Sequence, residues 1–397
     1  MSTAVVRDDG LFAYDFGDHP LDPVRVELAL ALAGELGVLD RPGVTLLPGR
    51  AATDAELTTV HDPAYLAAVR AAPDDPYWSG RGLNTPDNPT FPGMHDAAAY
   101  VAGASLVAAA ALVDGTATRA VQLAGGLHHA MPDRAAGFCV YNDVAVAIHA
   151  LRAGGLRRVA YLDVDVHHGD GVQAAFADEP DVLTISLHQS PRTLFPGTGE
   201  PTETGGPHAR GSAVNVALPP GTGDDGWLRA LFAVVPPLLR AFAPDVLVTQ
   251  CGADAHRLDP LADLRLTVDG QRAAYLAMRS WADELAAGRW LAVGGGGYAH
   301  VAVVPRAWTH LLAVATGAPI EPARLTPPAW RALAARRRPG VPPPLRMTDD
   351  APAAYRPWPA DPADPVDRAI AATRAAVFPA HGLDPGPAGP GSAAAAG

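Results

Sequence analysis

The chain has 397 residues, 48% of them hydrophobic, and a formal net charge of -12 from 42 acidic and 30 basic side chains. That balance excludes a general polyanion binder, because nucleic-acid affinity rests on Lys and Arg neutralising phosphates, and it suits a basic substrate better. Two cysteines, Cys139 and Cys251, far apart in apolar runs, exclude a disulfide framework and a cysteine-rich metal site. Along the chain, the first ten residues carry Arg7, Asp8 and Asp9 without an apolar stretch, so no secretory signal is expected and a reducing cytoplasm is the expected compartment. Helical periodicity covers 23–38 and 54–70, the second opened by Thr53 with Glu56 three residues on, a capping box. The longest apolar stretch, 97–113, is rich in Ala, Gly and Ser between Asp96 and Asp114; it predicts a buried helix over 96–114, and no membrane contact is expected. There follow a strand over 120–123, a helix over 143–153, strands over 159–164, 182–187 and 214–218, and a helix over 227–242. A strand over 246–250, a helix over 269–287, a strand over 290–293 and a helix over 305–316 complete the series. The short Val/Leu/Ile/Ala-rich strands alternating with helices predict an α/β protein: an open three-layer α/β/α fold with a central, mostly parallel sheet. Nothing divides residues 1–384, which are expected to form one domain, whereas 385–397, all Pro, Gly, Ser and Ala, are expected to be disordered.

Five of these strands run into polar, titratable or glycine-rich clusters. They are Gly125-Gly126-Leu127-His128-His129, Asp163 to Gly171, Ser186-Leu187-His188, Gln250-Cys251-Gly252-Ala253-Asp254 and Gly294 to Tyr298. In an open α/β sheet the site lies outside the carboxyl ends of the strands, so the clusters should converge. The linkers 71–94, 194–211 and 253–266 are long and rich in Gly and Pro, as binding loops are. Asp165 and His167 are two apart, so on an extended segment both point the same way, which suits two ligands of one metal; Asp163 shares that face. Asp254, after a buried strand, is the best third ligand, although alone it reads equally as a helix cap or turn residue. Two carboxylates and one imidazole leave a position open for water. The adjacent His128 and His129 follow two glycines and can deprotonate such a water, with Asp163 and Asp170 each orienting one ring; packing alone is the plainer alternative. Gly294 to Gly297 lacks the lysine and spacing of a phosphate loop, and reads as a tight turn aiming the Tyr298 hydroxyl at a developing oxyanion, or else as a flexible loop with a packing tyrosine.

Together these segments resemble the histone deacetylase family of the arginase/deacetylase superfamily. The resemblance rests on Gly126-Leu127-His128-His129-Ala130, Gly137-Phe138-Cys139-Val140-Tyr141-Asn142-Asp143, Asp163 to Val172, Phe195-Pro196-Gly197-Thr198-Gly199, Gln250 to Asp254 and Gly294 to Tyr298, in family order from about residue 14 to about 317. The stretches 82–95 and 377–384 are similar to the bacterial acetoin-utilization branch, which extends the expected fold to about Asp384. The resemblance implies an NAD-independent hydrolase with one zinc ion on Asp165, His167 and Asp254. It further implies His129 as general base and then acid, His128 as its electrostatic partner and Tyr298 as oxyanion donor. A monovalent cation, K+ or Na+, is implied beside the zinc at Asp163, Asp165, His167, Ser186 and Leu187. Gly137, Phe138, Phe195 and Leu261 are implied as the walls of a tunnel for an acetyl-lysine stem.

The implied substrate is an acetylated protein, such as an acyl-CoA synthetase, or a small acetylated amine. Two-manganese arginase chemistry is a rival, but Gly169 and His256 stand where the arginase pattern has aspartates. Acetylpolyamine hydrolysis is another: Leu261 stands where polyamine-preferring relatives often carry an acid, while the acidic run Pro73-Asp74-Asp75-Pro76 leaves a cationic amine open as substrate. A non-catalytic acetyl-lysine binder is the third, against which every expected catalytic residue is present.

Overall fold

The computed structural model describes residues 2–75 and 77–387. In chain order its elements are β1 (Thr3–Val6), α1 (Val24–Glu35), β2 (Val44–Leu47), α2 (Asp54–Leu57), α3 (Pro63–Ala71), α4 (Met94–Val113), β3 (Arg119–Gln122), α5 (Asp143–Ala153) and β4 (Val159–Asp163). Then come α6 (Asp170–Ala175), β5 (Val182–Gln189), β6 (Ala213–Leu218), α7 (Asp224–Phe242), β7 (Val246–Gln250), α8 (Val268–Leu285), β8 (Trp290–Val293), α9 (Val304–Ala315), α10 (Pro328–Arg337) and α11 (Pro365–Val377). The expected α/β class holds, and the sheet is parallel throughout, in the order β2-β1-β3-β8-β7-β4-β5-β6. Its central strands are apolar on both faces because helices cover both: Val159, Leu162, Val246, Val248, Trp290 and Leu291 are all essentially inaccessible. On one side α4 packs on α5 and against β1, β3 and β8; on the other α1, α9, α8, α7 and α11 form a row of packed neighbours.

Several expectations need correction. The helix expected over 54–70 is two, because Pro63, with no N–H to give, starts α3 afresh. The expected capping box does open α2: Thr53 Oγ1 accepts from the Glu56 N–H at 3.3 Å and Glu56 Oε2 accepts from the Thr53 N–H at 2.8 Å, an arrangement worth about 1 kcal/mol. The 97–113 stretch lies in α4, whose Ala98, Val101, Ala102, Ala104 and Ala108 are buried by protein. β5 continues to Gln189, so Ser186, Leu187 and His188 lie within a strand and not beyond its end. β1, β2, α6, α10 and α11 were not anticipated. The Pro-rich C-terminal region packs α11 on α7 and β6, and residues 388–397 of the expected disordered tail lie outside the described residues.

The register positions the site. Gln122, Val293, Gln250 and Asp163, the last residues of β3, β8, β7 and β4, are successive partners across four adjacent strands. Four loops therefore leave the sheet side by side at one level. They are the loops that carry His128 and His129, Tyr298, Asp254, and Asp165 with His167.

Candidate active site

Two residues at the start of α5 brace the histidine pair. Asn142 caps the helix, its Oδ1 accepting from the Ala145 N–H at 2.9 Å, while its Nδ2 donates to the carbonyls of Ala130 and His128 at 3.0 and 3.3 Å. The buried Asp143 carboxylate accepts from the N–H groups of Gly126 and Leu127 at 3.0 and 2.8 Å and from the Ser105 hydroxyl at 2.6 Å. Backbone polar groups of a buried loop need partners, and a carboxylate at a helix N-terminus supplies them where the macrodipole favours its charge. Neither role was read from the sequence.

The pair so placed is anchored at both outer nitrogens. His128 Nδ1 donates to Asp163 Oδ2 at 2.7 Å and His129 Nδ1 donates to Asp170 Oδ1 at 2.7 Å, the tautomers being set by these carboxylates. The two Nε2 atoms then face each other at 3.0 Å. Asp163 is itself held by the Tyr161 hydroxyl at 2.5 Å. Burial works against charge on His128, yet Asp163 and Asp165 outweigh it and raise its pKa to about 9. Burial and the neighbouring His128 charge push His129 the other way, to about 4. The surroundings thus drive the two rings apart, His128 toward the charged form and His129 toward the neutral one.

The Asp165–His167 segment is not extended. The Asp165 N–H donates to Asp163 Oδ1 at 3.1 Å and the His167 N–H to Asp165 Oδ1 at 3.0 Å, so the chain curls after β4 and the alternation expected of an extended segment is absent here. Curling nonetheless brings them together with Asp254. His167 Nδ1 lies 3.0 Å from Asp165 Oδ1 and 3.2 Å from Asp254 Oδ2, and the three donor atoms lie within 4.8 Å of one another. Each carboxylate has its other oxygen occupied. Asp165 Oδ2 accepts from the Gly296 N–H and from Gln250 Nε2, both at 2.7 Å; Asp254 Oδ1 accepts from the Val166 N–H at 2.9 Å. A Cβ at Gly296 would collide with Asp254 Oδ2, so the glycine run lets backbone approach the carboxylates where no side chain fits.

This donor set fits a divalent metal. Two buried carboxylates converge on one imidazole, and although burial opposes charge on His167, Asp165 and Asp254 raise its pKa to about 10. Burial, then Asp165, pushes Asp254 up to about 8. The cluster demands positive charge, which a proton on His167 supplies incompletely and a cation would supply fully. Among the described residues this is the one such group.

Leu21, Cys139, Gly137 and Tyr298 join His128, His129, Asp165 and His167 around a cavity of ≈ 10 Å³, about the room one water needs. Gly137 (φ +53°) and Phe138 (φ +68°) form a left-handed turn beside it, pinned by the Gly137 N–H donating to Asp87 Oδ2 and the Tyr14 hydroxyl donating to the Phe138 carbonyl, both at 2.8 Å. The Phe195 ring stands edge-on 5.0 Å from that of His129, and Phe138 edge-on 5.7 Å from Tyr298. Leu261 is half-buried outside this lining, its N–H donating to Asp259 Oδ1 at 3.1 Å. Ser186 faces Asp163 in register across β4 and β5, its hydroxyl 2.8 Å from His188 Nδ1, and Leu187 beside it is fully buried. Two further residues set Tyr298. Asp259 Oδ2 accepts its N–H at 2.8 Å, and the buried Arg25 guanidinium donates to the carbonyls of Gly295 and Gly297 at 2.8 and 3.1 Å. His256, the residue set against the two-metal pattern, has both ring nitrogens engaged: Nε2 with Asp349 Oδ2 at 2.7 Å and Nδ1 with the Leu258 N–H at 3.1 Å. A side chain at Gly169 would collide with Asp163 Oδ2.

Comparison with known proteins agrees with this architecture. A model described as a histone deacetylase domain matches residues 19–315. The acetoin utilization protein AcuC of Bacillus subtilis (strain 168) is 41% identical over 317 residues, 79% of this chain and 81% of that protein. Those of Staphylococcus xylosus and Staphylococcus aureus (strain MRSA252) are 36% and 37% identical, each across 80% of this chain and 83% of the relative. With its parallel sheet and with those matches, the chain belongs to the histone deacetylase family.

Proposed function

We propose that the chain is a zinc-dependent lysine deacetylase, one catalytic domain over 1–384 that hydrolyses N6-acetyl-lysine to lysine and acetate. The observation that carries this reading is the meeting of two arrays at one narrow cavity: Asp165 and His167, which line it and converge with Asp254 behind them, and the His128–His129 pair with each outer nitrogen on a carboxylate. In this reading Asp165, His167 and Asp254 hold zinc, which when bound supplies Lewis-acid polarisation of the amide carbonyl and a more acidic water. His129, kept neutral, takes the proton from the attacking water through Nε2 while Asp170 steadies Nδ1. The Tyr298 hydroxyl donates to the oxyanion of the tetrahedral carbon. His129 then returns the proton to the lysine nitrogen as the C–N bond breaks. Charged His128 keeps the pair electrostatically polarised. Tyr298→Phe is expected to lower kcat by about 10²–10³ with little change in KM, measured on an acetyl-lysine peptide.

A monovalent cation between β4 and β5, on Asp163, Ser186, Leu187 and the backbone of Asp165 and His167, belongs to the same proposal. So do Gly137, Phe138, Phe195 and Leu261 as walls for the four-carbon stem. The occupied ring of His256 and the lack of room at Gly169 favour one catalytic metal over two. The acetoin-utilization relatives favour an acetylated metabolic enzyme, such as an acyl-CoA synthetase, over a histone, and two buried free thiols suit a cytoplasmic protein. Turnover of acetyl-lysine peptides, an acetylated acyl-CoA synthetase and acetylspermidine, with chelation and zinc add-back, tests the whole. Chelation should abolish turnover and zinc restore it; a strong preference for acetylspermidine would replace lysine deacetylation by polyamine hydrolysis.

A further inference from the structure

The histone deacetylase match ends at residue 315, yet the described chain continues to 387. In that continuation Asp349 meets three elements at once. Its Oδ2 accepts from His256 Nε2 at 2.7 Å and from the N–H of Val268, the first residue of α8, at 3.0 Å, and its Oδ1 pairs with Arg306 Nη2 on α9 at 2.9 Å. The grip is returned. The Asp349 N–H donates to Asp269 Oδ2 at 2.8 Å, Arg306 Nη1 donates to the Thr348 carbonyl at 2.9 Å, and His310 Nε2 donates to the Met347 carbonyl at 3.1 Å.

His256 is fully buried in the middle of the loop between β7 and α8, and that loop is knit around it. Its N–H donates to the Ala253 carbonyl at 3.3 Å and its carbonyl accepts the Asp259 N–H at 2.8 Å. Upstream on the loop is Asp254; downstream is Asp259, which holds the backbone of Tyr298 and of Leu261. A long loop has much conformational entropy to lose, so a buried imidazole fixed by one carboxylate from outside the loop restricts both flanks together.

We propose that Asp349 is a positioning residue: through His256, the C-terminal arm beyond the matched domain holds the loop that presents Asp254 to the metal and steadies Tyr298. The proposal rests on the metal reading of Asp254, and its test separates the two. In the full chain, Asp349→Ala is compared with Asp367→Asn. Asp367 lies on α11 and pairs with Arg229 Nε on α7 at 2.7 Å, so its loss loosens the same arm away from the metal loop. Two quantities are read: amide hydrogen exchange over 253–261 in metal-free protein, and the zinc dissociation constant by chelator competition. Asp349→Ala should speed exchange there at least about tenfold and weaken zinc by about 10–100-fold, while Asp367→Asn lowers the melting temperature without doing either. Asp349→Asn gives the same readout should the alanine variant fail to fold. Exchange and zinc affinity at wild-type levels in the Asp349 variant, or equal changes in the Asp367 variant, overturn the proposal. A wild-type chain that binds no zinc overturns the metal reading instead, and the exchange comparison then decides the role of Asp349 alone.

Discussion

His129→Ala is expected to lower kcat on an acetyl-lysine peptide by about 10²–10⁴ while zinc stays bound at wild-type stoichiometry. The effect is large because no neighbour can take over. His128 is the nearest imidazole, but Asp163 beside it favours its charged form, which has no lone pair to offer. Its Nδ1 is committed to Asp163, and its Nε2 points at the His129 position. Metal content should not change, since neither His129 nor Asp170 belongs to the Asp165–His167–Asp254 group. Kinetics and zinc content are measured on the same preparation. Near-wild-type turnover would remove His129 from the mechanism; loss of zinc alongside turnover would make it a structural residue of the metal site.

Asp254→Ala is expected to bring turnover to the background of metal-free protein and to lose zinc, yet to keep the fold. Deleting this side chain removes a donor and frees the Val166 N–H that Asp254 Oδ1 accepts, so the curl carrying His167 loosens as well. What remains is one carboxylate and one imidazole, too few for the tetrahedral site a zinc ion requires. The fold should persist because burial and Asp165 make the Asp254 charge unfavourable without a cation, whereas the sheet is held by apolar packing. Far-ultraviolet circular dichroism at wild-type intensity, combined with absent zinc and absent turnover, is the expected set of results. Full turnover in a zinc-free variant would overturn the metal reading.

How far the sequence reaches depends on whether the governing contact is local. The bounds of α5, β7 and β8 follow the apolar pattern because each is a run in one environment, whereas β2 is a half-exposed edge strand whose residues share no single environment for a pattern to register. The strand order is a long-range property, and with it the adjacency of β3, β8, β7 and β4. The cluster of Asp165, His167 and Asp254 was legible as residues but not as geometry, since the bonds that curl the chain after Asp163 leave no mark on a two-residue spacing. Arg25 carries a signal in the sequence itself. It shares a helix face with Leu28, Ala29 and Leu32, all buried, so a charge in that register needed a partner inside the protein. Asp259 and Gln250 look locally like turn and strand-end polar residues, and their roles emerge only when separate loops are brought together.

The alignment of four strand ends at one level has a thermal consequence. A catalytic apparatus mounted on a hinged flap can melt before the body of a protein, and activity then fades while the body survives. Here each loop of the site is rooted in a central strand with no accessible face, and neighbouring roots are hydrogen-bonded to one another. Such strands belong to the part of a protein that opens only in global unfolding. Heat should therefore extinguish the candidate site and the sheet in a single cooperative step, with inactivation and loss of secondary structure sharing one midpoint.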